Sequence, residues 1–333
     1  MPAINSGIPN TPPEPTAQFA RRSILLIVGN LVKLAVQLAV IYLYSRILSV
    51  TDYGRYQSIW LYVNVFSVIG LFGLPSILLS SSTAGMLQWI RGNRNLISIL
   101  FSLLFIGPLI WILSLSTQFS WLERSLLCSL LLFQNMSIIA ETLAIKKEQE
   151  RKVLVVNIFF NAGYLIAHLW VVYSMTFSLM TLLAVLSLLH VLKALVLLKS
   201  RAHLWAAGNE NIDAHLIGKQ WLYLGLYDVV AVLFKWVDKW IILVFISVGQ
   251  FAVYYNGSYE IPVFMMLASA VGNVLVVEFA KSTQIDAAKA LELFKRSSLF
   301  LSSLMLPAFC FLLFFHEPLF LFVFSEKYAA AVP

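Results

Sequence analysis

The stretch LSVTDYGRY at Leu48–Tyr56 returns, altered, 198 residues later as ISVGQFAVY at Ile246–Tyr254, with Ser49, Val50 and Tyr56 recurring as Ser247, Val248 and Tyr254. Each copy closes one apolar run and opens the next. The same offset places Asn30 on Asp228 and Gln37 on Lys235. It sets RGNRN at Arg91–Asn95 against the segment ending in Lys295 and Arg296, and brings Pro108 within one residue of Pro307. An offset that encloses six membrane crossings returns the chain to the same side, so the two copies are parallel repeats related by an axis along the membrane normal.

The runs around these phrases are membrane spans. The chain is 60% hydrophobic and 12% charged, against roughly 25% charged residues in ordinary globular domains. A run of about 20 apolar residues crosses ~30 Å of hydrocarbon as a helix. Such runs lie near 23–45, 57–83, 96–116, 122–144, 153–173, 177–198, 220–247, 252–279 and 297–315. The expected fold is therefore all-α: a polytopic bundle of about nine transmembrane helices in two pseudo-symmetric six-helix lobes, the second truncated by about three spans. The expected organisation is a disordered, proline-rich cytoplasmic tail over 1–20, an N-terminal six-helix lobe over 21–199, a cytoplasmic linker over 200–218, and the first half of a C-terminal lobe over 219–333. The first span is too long for a signal-peptide core. Cys128 and Cys310 fall inside spans and imply no disulfide framework.

The net charge of +7 follows topology. With a cytoplasmic amino terminus, Arg46, Arg55, Arg124 and Lys327 lie outside, Lys33, Lys193, Lys235 and Lys239 lie within spans, and the remaining 15 of the 23 Lys and Arg lie inside. That bias is the positive-inside rule, and it leaves no basic surface for nucleic acid.

Polar residues inside the spans mark the candidate site. Asn30, Lys33, Gln37 and Tyr44 fall within an arc of about 60° on the first helix at 100° per residue. Asn157, Asn161, Tyr164 and His168 do the same on the fifth. Asp228, Lys235 and Lys239 share an arc of about 40° on the seventh, with Asp238 at its edge. Ionised groups at mid-membrane cost roughly 2.5–3.5 kcal/mol each on insertion scales, so these face partners or water. Glu260 on the eighth span sits at a depth suited to an ion pair with Lys239. Interhelical glue for the amides and a structural salt-bridge set for the seventh-span charges are the competing readings. Lys33 has no acidic neighbour in its own helix, which makes it the sharper signal. His190, His203, His215 and His316 read as surface residues near span ends or in loops. Phosphate-binding loops, His-Glu-x-x-His pairs and Cys/His clusters are absent from the sequence, which disfavours ATP hydrolysis and zinc chemistry and calls for no cofactor.

Three segments resemble the polysaccharide-type (Wzx-type) lipid-linked oligosaccharide flippases of the multidrug/oligosaccharidyl-lipid/polysaccharide exporter superfamily. SRILSVTDYGRYQSIWLYVNVFSVIGLFGLPS (Ser45–Ser76) looks like that family's first outer loop and second helix, carried by Arg46, Leu48, Asp52-Tyr53-Gly54, Tyr56, Gly73 and Pro75. WVDKWIILVFISVGQFAVYY (Trp236–Tyr255) looks like the start of its second lobe, and EPLFLFVFSEKYAAAVP (Glu317–Pro333) like its outer segment after helix nine, with Ser325 where glycine is common. The resemblance implies two lobes around a cationic cavity in a bacterial cytoplasmic membrane, rocking between inward-open and outward-open states. The implied activity is not enzymatic. The cargo would be an oligosaccharide on undecaprenyl diphosphate, destined for O antigen, capsule or exopolysaccharide, with membrane lipids and other polysaccharide-assembly proteins as partners. Lys33, Lys235 and Lys239 would attract phosphate or sugar acids; Asn30, Gln37, Asn157, Asn161 and His168 would bond sugar hydroxyls. A cation-coupled exporter of the same superfamily, with Asp228, Asp238 and Glu260 binding the ion, is the nearest alternative. A membrane polymerase or ligase acting on lipid-linked glycans, or a non-transporting fragment, are the others.

Overall fold

The structure is a computed structural model that describes residues 16–81, 89, 91–114, 119–147, 149–174, 178–199, 214–258 and 287–332. Among these every regular element is helical. In chain order they are α1 (Thr16–Ile47), α2 (Val50–Leu71), α3 (Leu74–Ser80), α4 (Arg94–Ser114), α5 (Trp121–Lys146), α6 (Glu150–Tyr173), α7 (Leu179–Leu198), α8 (Ala214–Phe245), α9 (Val248–Gly257) and α10 (Ala287–Phe324), followed by a 3-10 turn at Glu326–Ala331. Five helices are long and apolar enough to cross a membrane, or six if α2 and α3 form one bent span. The chain is a multi-pass helical membrane protein. Most of the expected span at 252–279 lies outside the described residues.

The repeat is written into the helix ends. Residue Thr16 starts α1 and Ala214 starts α8; Ile47 ends α1 and Phe245 ends α8; Val50 starts α2 and Val248 starts α9. Each pair is 198 residues apart. The opening phrases act as helix punctuation: the Ser49 hydroxyl accepts from Asp52 N at 3.1 Å and donates to the Asp52 carboxylate at 2.6 Å. At the second copy Ser247 and Gln250 make the reciprocal capping box. Such caps satisfy amide protons that no helical carbonyl reaches.

The chain divides into two compact units. One comprises Met1–Val36, Phe66–Val171 and Ser178–Val232; the other comprises Gln37–Val65, Val172–Phe177 and Leu233–Pro333. Within the first, α5 and α7 form the most extensive helix pair. Ala140, Ala144, Ala194 and Leu197 pack there with Val153 of α6, and the three alanines let helices approach closely without a hydrophobic drive from lipid. A second core gathers Ile77, Trp89, Ile217 and Trp221.

The expected continuous span over 57–83 needs correction. Helix α2 starts earlier, at Val50, and breaks at Phe72–Gly73, where α3 departs at 47°. Both break residues have positive φ, 39° and 71°. Residue Gly73 is required there twice over: its φ is left-handed, and a side chain would come within 2.6 Å of the Gly225 amide nitrogen on α8. Pro75 follows in the first turn of α3, where its missing N–H costs nothing, so it starts a helix instead of kinking one.

In the second unit the two phrases meet. A side chain on Gly54 would overlap the Val248 carbonyl oxygen, so α2 and the start of α9 touch backbone to backbone. Gln57 Nε2 donates to Asn256 Oδ1 at 2.6 Å just beyond, both side chains buried. The Tyr53 and Tyr328 rings meet edge-on at 5.5 Å.

Candidate functional site

In the first unit four helices bring charge together near Glu141. The carboxylate takes Lys193 Nζ of α7 at 2.6 Å on one oxygen and Asn157 Nδ2 of α6 at 2.8 Å on the other. Residue Lys33 of α1 lies within electrostatic reach of both Glu141 and Lys193. Below them the Lys193 ammonium stands 4.9 Å above the Phe160 ring, and that ring lies 4.8 Å from His190. Nδ1 of His190 meets the Ser137 hydroxyl at 2.9 Å. Ser137 and Glu141 are one turn apart on α5, as are His190 and Lys193 on α7, which stacks the group in two layers.

Positions Asn30, Lys33 and Gln37 form a stripe on α1 that protein does not cover, whereas Tyr44, expected on the same stripe, is fully buried against Tyr56. On α6 the polar stripe turns into the protein. Asn161 donates to the Asn157 carbonyl and His168 to the Tyr164 carbonyl, both at 2.8 Å, so each satisfies its own helix. Of that stripe Asn157 reaches a charged partner on another helix, Glu141 of α5. The histidine expectation needs revision at His190, which is buried, while His316 is exposed as expected; His203 and the side chain of His215 lie outside what is described.

On α8, Asp228 accepts a hydrogen bond from Ser76 of α3, next to the Gly73–Gly225 contact. In the second unit Lys239 is 7% exposed and pairs with its neighbour Asp238 at 3.4 Å. Tyr254 OH donates to the same Asp238 oxygen at 2.9 Å. The ammoniums of Lys235 and Lys239 lie 5.9 and 5.5 Å from the Trp236 ring. Cation–π contact of this kind holds a charge where water is scarce. Glu260, the expected partner of Lys239, lies outside the described residues.

A carboxylate, an amide, several ammoniums and aromatic faces are an inventory for holding anionic and hydroxylated molecules, and among the described residues no group of three His, Cys, Asp or Glu is placed to hold a metal. A family profile described as polysaccharide biosynthesis protein matches residues 43–333. The chain belongs to that family. Its match begins just before the Ser49 cap and includes every site residue above except Asn30, Lys33 and Gln37. No curated protein and no solved structure matches the chain. As a polysaccharide biosynthesis protein, it places the Glu141 group on four helices long and apolar enough to cross a membrane. Glu141, Lys193, Ser137 and Phe160 are the members that sequence reasoning missed. The available signal was position: Glu141 and Lys193 are each five residues from the end of an apolar helix, a place that ordinary loop charges do not occupy.

Proposed function

We propose that this polysaccharide biosynthesis protein is a flippase that moves oligosaccharides linked to undecaprenyl diphosphate across the bacterial cytoplasmic membrane by alternating access. The reading rests on one combination: membership of this family in a multi-pass chain that carries Lys33 and Lys193 on helices able to cross a membrane, with Lys235 and Lys239 in the largely apolar α8. Each ammonium is expensive in lipid, and a diphosphate-bearing cargo is the chemistry that repays it. Nothing covalent is needed, so the chain acts as a transporter and not as an enzyme. Membrane lipids and other polysaccharide-assembly proteins are its partners, and the amino terminus is cytoplasmic.

The test is complementation of a strain that lacks this gene. K33L/K235L protein inserts at normal levels but restores little or no surface polysaccharide, at least tenfold below the parent. Normal polysaccharide from the double variant overturns the reading. Longer glycans formed by purified protein would point instead to a polymerase or ligase. A cation-coupled exporter is favoured by one detail, the Asp238 Oδ1 oxygen, which is buried without a hydrogen-bond partner among the described residues. Vesicles loaded with cationic dyes against lipid-linked sugar separate the two.

A further inference from the structure

The Glu141 group has a composition that helix packing does not call for. A buried or half-buried ion pair gains little net stability, because removing both charges from water offsets their attraction, and apolar side chains of similar size would pack as well. The group is also unbalanced: Lys33 and Lys193 bring two ammoniums, Glu141 brings one carboxylate, and His190 is the other titratable group facing them. The donors are arranged as recognition of an anion requires, one ammonium and one amide N–H each on its own oxygen, at 2.6 and 2.8 Å. Contact with Phe160 fixes the ammonium, and the Ser137–His190 layer fixes Phe160. The pair is not sealed, since the Glu141 side chain is 27% exposed.

We infer that Lys193, Asn157 and Lys33 form a seat for an anionic oxygen pair of the cargo, and that the Glu141 carboxylate is its resident stand-in, displaced when the cargo's own carboxylate or phosphate arrives. The inference rests on the transport reading and deepens it: Glu141 sets how strongly an acidic group is held by competing for the same donors. A sugar acid and the carrier's diphosphate share the chemistry, and two probes distinguish them.

Full-length protein in lipid nanodiscs is titrated calorimetrically with glucuronate, inorganic diphosphate and, as a neutral control, glucose. E141Q keeps the shape and removes the competitor, so the preferred anion binds about tenfold tighter while glucose is unchanged. Tightening confined to glucuronate assigns the seat to an acidic sugar, and tightening confined to diphosphate assigns it to the carrier headgroup. Affinities for both anions within twofold of the parent, or weaker, overturn the proposal. If E141Q is not recovered monodisperse, K33Q serves, because Lys33 is uncovered by protein. It weakens the preferred anion about fivefold, and unchanged affinity overturns the seat. Loss of polysaccharide in K33L/K235L together with unaltered anion binding in E141Q sinks the seat and leaves transport standing; the reverse pattern sinks transport and leaves an anion site.

Discussion

Single residues at the carboxyl ends of helices carry much of the local order. At Ser325 the chain leaves α10 with φ 72° and ψ 157°, a backbone region that only glycine occupies without strain. Its cations complete the turn. Nη1 of Arg46 donates to the Val323 carbonyl at 3.0 Å and Nη2 to that of Phe322, so the α1 arginine caps α10. Lys327 Nζ answers by donating to Leu48 O at 3.1 Å and to Arg46 O, capping α1. A positive charge at each carboxyl end also complements the helix dipole. These contacts hold Ser325 in its strained conformation. Replacing it with glycine removes strain of roughly 1–3 kcal/mol and adds chain entropy of about 0.5–1 kcal/mol to the unfolded state. Ser325→Gly is therefore expected to stabilise by about 1 kcal/mol, read as a higher aggregation temperature of detergent-solubilised protein. A lower temperature would mean that the serine side chain contributes something beyond its backbone.

At the scale of the element, the repeated phrase is a repeated helix start. Ser49 and Ser247 each follow a 32-residue helix, accept an amide proton from the third residue of the next, and are answered by Asp52 or Gln250. Two sequences with few identities keep the cap because one helix ends and another begins at both places, and amides at a helix start need an acceptor. Ser49→Ala and Ser247→Ala should each cost about 1 kcal/mol of stability, measurable as comparable losses in thermal unfolding. A loss at one site alone would show that the two turns do not carry equal structural weight. The same scale explains the α2–α3 break. Residue Gly73 takes a left-handed turn that lets α3 bend away while Gly225 of α8 lies against it, and Phe72 packs on Trp221 with ring centroids 5.6 Å apart.

For the whole molecule, the distribution of charge predicts which end of each helix faces the cytoplasm. Tyr173 ends α6 and is 72% exposed, whereas Arg151, also exposed, is near the start of the same helix. In a background with Cys128 and Cys310 replaced by serine, Tyr173→Cys should react with an impermeant maleimide in intact cells, and Arg151→Cys only after permeabilisation. The opposite pattern would invert the topology and place the Glu141 group near the external face.

The sequence by itself determined that the chain spans a membrane and that the phrase at Ser49 returns at Ser247, each copy starting a helix. Those features are local: a helix in lipid satisfies its own backbone hydrogen bonds, and its caps lie within three residues of its start. Periodicity likewise placed Lys33 on a polar stripe that protein leaves uncovered. It did not say who stands opposite. Lys33 has no acid on its own helix, yet Glu141 of α5 lies within its reach, and His190, near the end of an apolar run, is buried against Ser137 and Phe160. Only the tertiary structure decided these partnerships, as it decided the capping of α1 and α10 by Lys327 and Arg46. The helical period fixes the direction in which a side chain leaves its own axis, while the neighbour it meets depends on how separate helices pack.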